Sequence, residues 1–350
     1  MVTLKEIAER CHVSATTVSN VINGKAKTSK ETERRILSVI EETGYKPNEV
    51  AKGLRLQRTR TIAIIAEDIA QFTVPPIIEG IMEYCERENY RVSVRNLRLY
   101  ARWADTWYDQ EIAYHSVLDP VLRDLQSARV EGIIYIAGHA RVIHCCSDDY
   151  PIPVVMAYAF SDSPAVPSVV IDDEMSAFEE VSYLLKMGHK RIGVIGGRVE
   201  NNHTQQRLLG YQRALFEEGI LFDPNLVYYG DWTRESGYNG AKELYERGVT
   251  AFFGISDKMS GGIYDFLEEK GLRVGRDISV IGFDDESIAA YYRPGLTTTA
   301  LPLSQIGHTS ARLLIDRLEK RLEDVPGDRP QVIKIPCTMV YRDSVALASG

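Results

Sequence analysis

Cysteine is scarce in this sequence. Five occur among 350 residues (Cys11, Cys85, Cys145, Cys146 and Cys337), with no CxxC pair and no zinc-binding spacing. This excludes a disulfide scaffold and a zinc module, and it predicts reduced thiols in a cytoplasmic setting. Long apolar runs are also missing. No stretch approaches the roughly 18 residues needed to cross a bilayer, and no basic-then-apolar export signal opens the chain. We therefore expect a cytoplasmic protein with no membrane partner. Catalytic signatures are lacking too: there is no GxSxG elbow, no GxxxxGK[ST] loop and no GxGxxG after a strand. IGVIGGR (192–198) lacks the third glycine at the required spacing. The seven histidines are scattered and suggest neither a metal site nor a triad, and His189 in GHKRI reads as a helix end. The expectation is a chain without enzyme activity, cofactor or metal.

Positive charge is short overall, with a net charge of -8, which argues against a nucleic-acid partner until the charge is divided. Residues 1–60 hold 12 Lys/Arg and 7 Asp/Glu, a net of +5, leaving 29 basic and 42 acidic residues and a net of -13 for the remainder. A basic head on an acidic body suits a phosphate-binding module carried by a receptor. The length predicts two or three domains with a large core.

The head centres on TLKEIAERCHVSATTVSNVING, Thr3 to Gly24. Thr3 and Glu6 have capping-box spacing, and Leu4, Ile7, Ala8 and Cys11 recur at helical spacing. Ser14 can cap a second helix whose Val18, Val21 and Ile22 point back at the first. Ala15, Thr16, Ser19, Asn20 and Asn23 then face outward, short or hydrogen-bonding and free of acids. Such a pair suits a major groove; a plain helical hairpin is the alternative. A third helix is expected from about 29 to 43, with Thr28 and Glu31 at capping-box spacing. Ile36, Leu37, Val39 and Ile40 would be its buried side, Gly44 its end, and Tyr45 a brace. Lys25, Lys27, Lys30, Arg34 and Arg35 are candidate phosphate contacts or simply a solvated basic surface.

Pro47-Asn48 breaks the chain before a short helical segment, 49–56, with an internal Gly53. So short a helix is unstable alone. It reads as a hinge that orders on DNA, with Leu54 able to wedge into the minor groove, or as an ordinary linker. From Thr61 onward short apolar runs alternate with helical periods. Buried strands are expected at 61–66, 90–94, 131–136, 152–157, 191–196, 251–256 and 278–283. Helices are expected near 75–88, 110–128, 174–187, 205–218, 235–247 and 258–270. This pattern implies parallel strands covered on both faces, in two α/β lobes with a ligand cleft beyond the carboxyl ends of the strands.

TTVSNVING, then YKPNEVAKGL, then TIAII resembles the DNA-binding head and hinge of the lactose/galactose repressor (LacI/GalR) family. GHKRIGVIGG, QQRLLGYQRAL, GDWTRESGY, ISDKMSGG and ISVIGFDDESIAAYYRPGLTT are similar to that family's core, in order and at its usual spacing. The resemblance covers nearly the whole chain. It implies a helix-turn-helix domain over 1–46, a hinge helix and linker over 47–60, and a periplasmic-binding-protein-like core of two doubly wound parallel-sheet lobes over 61–345. The lobes are expected at about 61–170 with 302–326, and about 171–301 with 327–345. It further implies a homodimeric transcription regulator, most often a repressor. Such a dimer reads a pseudo-palindromic double-stranded DNA operator and is controlled by a small-molecule effector. Beyond Arg342 eight residues remain, without heptads, so a dimer and not a tetramer is expected.

By the resemblance Ala15, Thr16 and Asn20 stand at base-reading positions and Leu54 at the hinge leucine. Ser14, Thr17, Ser19, Asn23 and Tyr45 match positions that touch phosphates or brace the helices, and DNA contacts extend to Thr3, Lys27, Asn48 and Ala51. His12 replaces a turn glycine, which histidine tolerates at positive φ. Asn20 replaces a common arginine, removing a bidentate guanine contact. In the core, Arg207, Trp232 and Asp284 match the family's cleft arginine, stacking aromatic and hydroxyl-binding acid. Asp257 matches a signature position of structural or ligand role, and Phe72 is a candidate wall. Residues 96–109, with Trp103 and Trp107, read as a packed insert or as a lid. The effector is expected to be a sugar, with a nucleobase or a partner protein as alternatives. A sugar receptor without a DNA role is the alternative from outside the regulators. Effector closure would shift the lobes and move the paired hinges, and reciprocity then links DNA and effector affinities. Amide exchange over 49–56 should slow on DNA binding; unchanged exchange would remove the ordering hinge.

Overall fold

A computed structural model describes residues 2–22, 24–25, 28–45, 58–104, 110–146, 150–321 and 331–348. The chain divides into two compact units, Met1–Arg60 and Thr61–Gly350. In the first, α1 (Leu4–Arg10), α2 (Ala15–Ile22) and α3 (Lys30–Thr43) pack on one another. Thr3 and Glu6 close a capping box, the Thr3 amide donating to Glu6 Oε2 at 2.8 Å and the Glu6 amide to Thr3 Oγ1 at 3.3 Å. The Thr17 amide donates to Ser14 Oγ at 3.1 Å, satisfying a free N–H of the second helix. His12 takes φ 52°, so the turn keeps its shape without glycine.

The third helix is capped one residue later than its spacing suggests. Ser29, with extended backbone, accepts from the Thr32 amide, whereas Thr28 lies outside the cap. Gly44 ends the helix at φ 61°. Ile7, Ala8, Cys11, Val18, Val21 and Ile36 form the core of this unit, with Val39, Ile40 and Tyr45 packed on it. Leu37, expected inside, is 49% exposed, because Ile36 and Ile40 already occupy the inward stripe. The expected hinge segment with Asn48, Ala51 and Leu54 lies outside the described residues, as do Asn23 and Lys27.

The second unit alternates strands and helices, as its run of buried segments requires. Its first half holds β1 (Thr61–Ala66), α4 (Val74–Arg87), β2 (Arg91–Asn96), α5 (Leu99–Trp103) and α6 (Glu111–Ser127). β3 (Gly132–Ile136), β4 (Val142–Ile143), β5 (Val154–Ala157), β6 (Phe160–Ser161) and β7 (Ser168–Ile171) follow. Next come α7 (Asp173–Lys186), β8 (Ile192–Gly196), α8 (Asn202–Glu217), β9 (Val227–Tyr229), α9 (Arg234–Tyr245) and β10 (Ala251–Gly254). The chain then forms α10 (Asp257–Glu269), β11 (Ser279–Ile281), β12 (Thr298–Ala300), α11 (Leu303–Leu318), β13 (Val332–Ile335) and β14 (Thr338–Val340).

Two parallel sheets result, in the orders β13-β7-β5-β3-β1-β2 and β11-β10-β8-β9. Along β1, Ile62, Ile64 and Ala66 feed one core and Ala63 and Ile65 the other, so the first sheet is buried on both faces. β2 differs from its expectation as a buried strand. It is the sheet edge, and its residues are half-buried or exposed. Val332–Ile335 sits in the first sheet beside β7, with Ile333 opposite Val169, although the expected ranges gave 327–345 to the second lobe. An open edge next to β7 accepts it as a sixth strand. α11 packs on α4 and carries no strand-helix signature of its own in the expected pattern. No helix among the described residues is long and apolar enough to cross a membrane.

α4 and α11 approach backbone to backbone. A Cβ at Gly80 would stand 2.0 Å from the Ser304 carbonyl oxygen, and one at Gly307 2.0 Å from the Ile77 carbonyl oxygen. Reciprocal glycines therefore set this contact. Gly307→Ala should force the helices apart, destabilising the protein by roughly 1–3 kcal/mol. Thermal unfolding checks it: an unchanged Tm would show that the close approach carries no energy.

Candidate functional site

The head presents α2 outward. Thr16 and Asn20 are exposed, while Ala15, Thr17 and Ser19 are half-buried. Ser14 is exposed, and its hydroxyl lies 2.9 Å from that of Thr17. Thr3 is exposed but serves the first helix's cap, and Tyr45 packs on the three-helix core. Lys25, Lys30, Arg34 and Arg35 are exposed on the same unit. The arrangement offers a surface of short donors and acceptors flanked by cations, with nothing acidic on α2.

In the second unit a cavity of about 390 Å³ collects residues from the carboxyl ends of the strands. Gln71, Phe72 and Thr73 follow β1, Tyr100 follows β2, His139 follows β3 and Tyr158 follows β5. His203 and Arg207 come from α8, Asp231, Trp232 and Thr233 follow β9, Ser256 and Lys258 follow β10, and Asp284 and Glu286 follow β11. Both sheets therefore contribute at the ends where α/β sheets bind ligands. A shallower depression of about 440 Å³ is lined by the single helix α6 and brings no separate elements together.

Arg207 is the anchor of the cavity and is 1% exposed. Its Nε donates to Asp173 Oδ1 at 2.8 Å, its Nη1 donates to the Ile255 carbonyl at 2.5 Å, and the same Nη1 lies 3.6 Å from Asp284 Oδ1. The guanidinium carbon sits 3.6 Å from the Phe283 ring centroid. Asp173, in the first turn of α7, accepts from His203 Nδ1 at 2.8 Å with its other oxygen. The Ala140 amide donates to His203 Nε2 at 3.0 Å, which fixes the neutral tautomer with its proton on Nδ1. A bond from the β3–β4 loop thus reaches a histidine of α8.

Trp232 lies nearly parallel to His139, ring centroids 5.9 Å apart. Its seat exists because residue 197 is glycine: a Cβ there would stand 2.2 Å from the indole. Burial, with the cations of Arg141 and Arg207 adding, pushes His139 down to about 3, so its ring is neutral. Tyr158, Trp232 and Asp284 take φ of 57°, 68° and 112°, left-handed backbone that bulky residues rarely adopt. Three such residues around one cavity mark it as functional ground. Phe72, 41% exposed, stands at the rim.

Asp257 is not brought to the cavity with the other expected residues. Its carboxylate is buried and accepts from the Thr298 hydroxyl at 2.6 Å and the Glu286 amide at 2.8 Å, tying α10 to the loop after β11. The insert is split between its two readings. Leu99 is buried and Trp103 packs on the second core, whereas Tyr100 lines the cavity; Trp107 lies outside the described residues. Tyr100, His139, Tyr158, Asp173, His203, Asp231, Lys258 and Glu286 escape the sequence reading. Their only signal is a place just beyond a strand or within the first turns of a helix.

Residues 3–48 match the family described as bacterial regulatory proteins, lacI family, and residues 181–345 match the periplasmic binding protein-like domain. The chain is 31% identical over 348 residues to catabolite control protein A of Priestia megaterium, covering 98% of this chain and 99% of that protein. Its fold is similar to a lac repressor dimer bound to operator and an anti-inducer, with TM-score 0.76, 24% identity and 99% of each chain covered. A transcriptional regulator CelR–cellobiose complex aligns with TM-score 0.63 at 25% identity, covering 98% of this chain and all (100%) of that one.

Buried acids behind the cavity give stability an uncommon pH dependence. Burial pushes Asp257 up to about 7, its bonds from Thr298 and the Glu286 amide opposing and the charges of Glu286 and Asp285 adding. Burial likewise raises Asp284 and Glu180 well above the carboxylate range, with Arg207 opposing for Asp284 and the Thr299 hydroxyl for Glu180. For Asp173 burial is outweighed by His203 and Arg207, and the net shift is downward. An acid raised on folding binds its proton more tightly in the native state, so stability is lost as pH rises from the ordinary value towards the folded one. The lowered Asp173 acts only below the carboxylate range. Above the ordinary histidine value of 6.5, where the lowered His139 and His189 no longer add an opposing slope, the Tm should therefore fall by roughly 2–5 °C between pH 6.5 and 8. Asp257→Asn, which can accept from the Glu286 amide and donate to Thr298, should flatten that slope; an equal slope in the variant would remove Asp257 as its source.

Proposed function

This chain belongs to the lacI family of bacterial regulatory proteins, and from that membership we propose the division of labour among its residues. It is a DNA-binding transcriptional regulator, not an enzyme. Thr16 and Asn20, with Ala15 beside them, are read here as the base-facing side chains. Ser14, Thr17 and Ser19 hold phosphates, and Thr3 and Tyr45 brace the helices. Asn23, Lys27, Asn48, Ala51 and Leu54 complete the DNA contacts by resemblance. The regulator acts as a cytoplasmic homodimeric repressor on a pseudo-palindromic operator, an assembly supported by the dimeric, operator-bound state of the lac repressor it resembles.

The effector is a neutral sugar held in the cavity after the strand ends. Trp232 beside Arg207 and Asp284 carries this reading: a flat aromatic face next to a hydrogen-bonding guanidinium and carboxyl suits a pyranose with its apolar face and equatorial hydroxyls. Arg207 already spends Nε and Nη1 on protein groups. Arg207 and Lys258 share the cavity with Asp231, Asp284 and Glu286, so its cations are matched by acids and the site does not favour a phosphate. Asp257 serves the architecture and stays out of the ligand set. The cellobiose-bound relative supports the class, not the particular sugar.

A thermal-shift screen of neutral sugars, sugar phosphates and nucleobases tests this. At least one neutral sugar should raise the Tm, by an amount set by ligand excess over Kd. Trp232→Ala and Asp284→Asn should each weaken its binding by about tenfold or more, roughly 1.4 kcal/mol. A response confined to phosphates or nucleobases would overturn the reading. The same sugar should change operator affinity, and operator should change sugar affinity by the same factor.

A further inference from the structure

Cys145 and Cys146 are adjacent in the chain, and their sulfurs lie 3.3 Å apart, Cys145 donating to Cys146. Cys145 is buried; Cys146 is half-buried and lines a pocket of about 230 Å³ with Tyr150, Pro151, Ile152 and Arg317. All five cysteines are free thiols. The pair is unsuited to a relaxed disulfide. Adjacent Cα atoms across a trans peptide are about 3.8 Å apart, short of the roughly 4.4–6.8 Å that disulfides adopt.

The same spacing suits a chelate. Two sulfurs 3.3 Å apart, each bonded at about 2.3 Å to one soft centre, subtend an angle of about 92° there. Tetrahedral zinc opens that angle well beyond a right angle, and a two-coordinate copper(I) ion prefers a line. A trivalent arsenic centre, bonding through nearly orthogonal p orbitals, takes it without moving the sulfurs. Among the described residues no group of three or more His, Cys, Asp or Glu could hold a metal ion, whereas an organic arsenical brings its own third bond, to carbon. Thiolate softness matches arsenic as it does other soft centres.

We propose that Cys145 and Cys146 form a bidentate site for trivalent organic arsenicals, opening on the pocket at Tyr150. In the capture step Cys146, the half-buried acceptor of the pair, attacks arsenic first and the buried Cys145 closes the ring. With phenylarsine oxide the arsenic–oxygen bond breaks, two sulfur–arsenic bonds form, and both thiol protons leave in one water. No electrons are gained or lost. The site lies on the stretch that begins with His139 and Arg141, the latter paired with buried Glu67 at 2.7 Å, and is distinct from the effector cavity.

Full-length protein titrated with phenylarsine oxide and read by intact mass should show one adduct with loss of one water and of two titratable thiols. The adduct should resist excess monothiol and be released by a stoichiometric vicinal dithiol, the signature of chelation. Cys146→Ser, at a half-buried position, and Cys145→Ser should each lose that resistance. Release of the wild-type adduct by monothiol, or a resistant adduct in both variants, would overturn the proposal; neither outcome bears on the sugar reading.

Discussion

A guanidinium buried inside the protein governs this molecule. Taking Arg207 out of water costs several kcal/mol unless its N–H groups are met. The chain meets them with Asp173, the Ile255 carbonyl and Asp284, and with the Phe283 face. Asp173 then has a second oxygen to satisfy, and it takes the Nδ1 proton of His203, whose remaining nitrogen can only accept and does so from Ala140. One buried charge thereby commits α7, α8, the end of β10, the loop after β11 and the loop after β3 to a single arrangement. Any ligand that engages Arg207 or Asp284 touches all of them.

Strand ends supply the rest. Parallel sheets place their carboxyl ends on one side, where loops are free to carry polar and aromatic groups that the apolar strands cannot. Two such sheets give one cavity wall each. Tyr158, Trp232 and Asp284 sit there in left-handed backbone, held by packing that over-determines them. Gly197 illustrates how local this fit is, since its missing side chain is the space the Trp232 indole fills.

Much of the fold was legible in the residues. Uninterrupted Val/Ile runs such as TIAIIA announced doubly covered parallel strands, and the capping box at Thr3 and Glu6 announced where α1 begins. Arg207, Trp232 and Asp284 were reached through motif resemblance and lie together in one cavity. The failures share a cause. Leu37 and β2 were assigned from local pattern, and the lobe of 327–345 and a ligand role for Asp257 from the resemblance, whereas exposure, edge position, sheet membership and carboxylate direction depend on which distant element packs alongside.

By itself the sequence determined the period and capping of the helices, the strand runs, the charge division between head and body, and the family. These are local or additive properties, written in spacing and composition. Only the tertiary structure decided that His203, Ala140, Asp173 and Arg207 form one hydrogen-bonded chain, that Tyr100 and not Trp103 faces the cavity, and that Asp257 ties loops together. Hydrogen bonds and stacking act over a few ångströms, and residues such as Asp173 and Arg207 are brought within that range by packing alone.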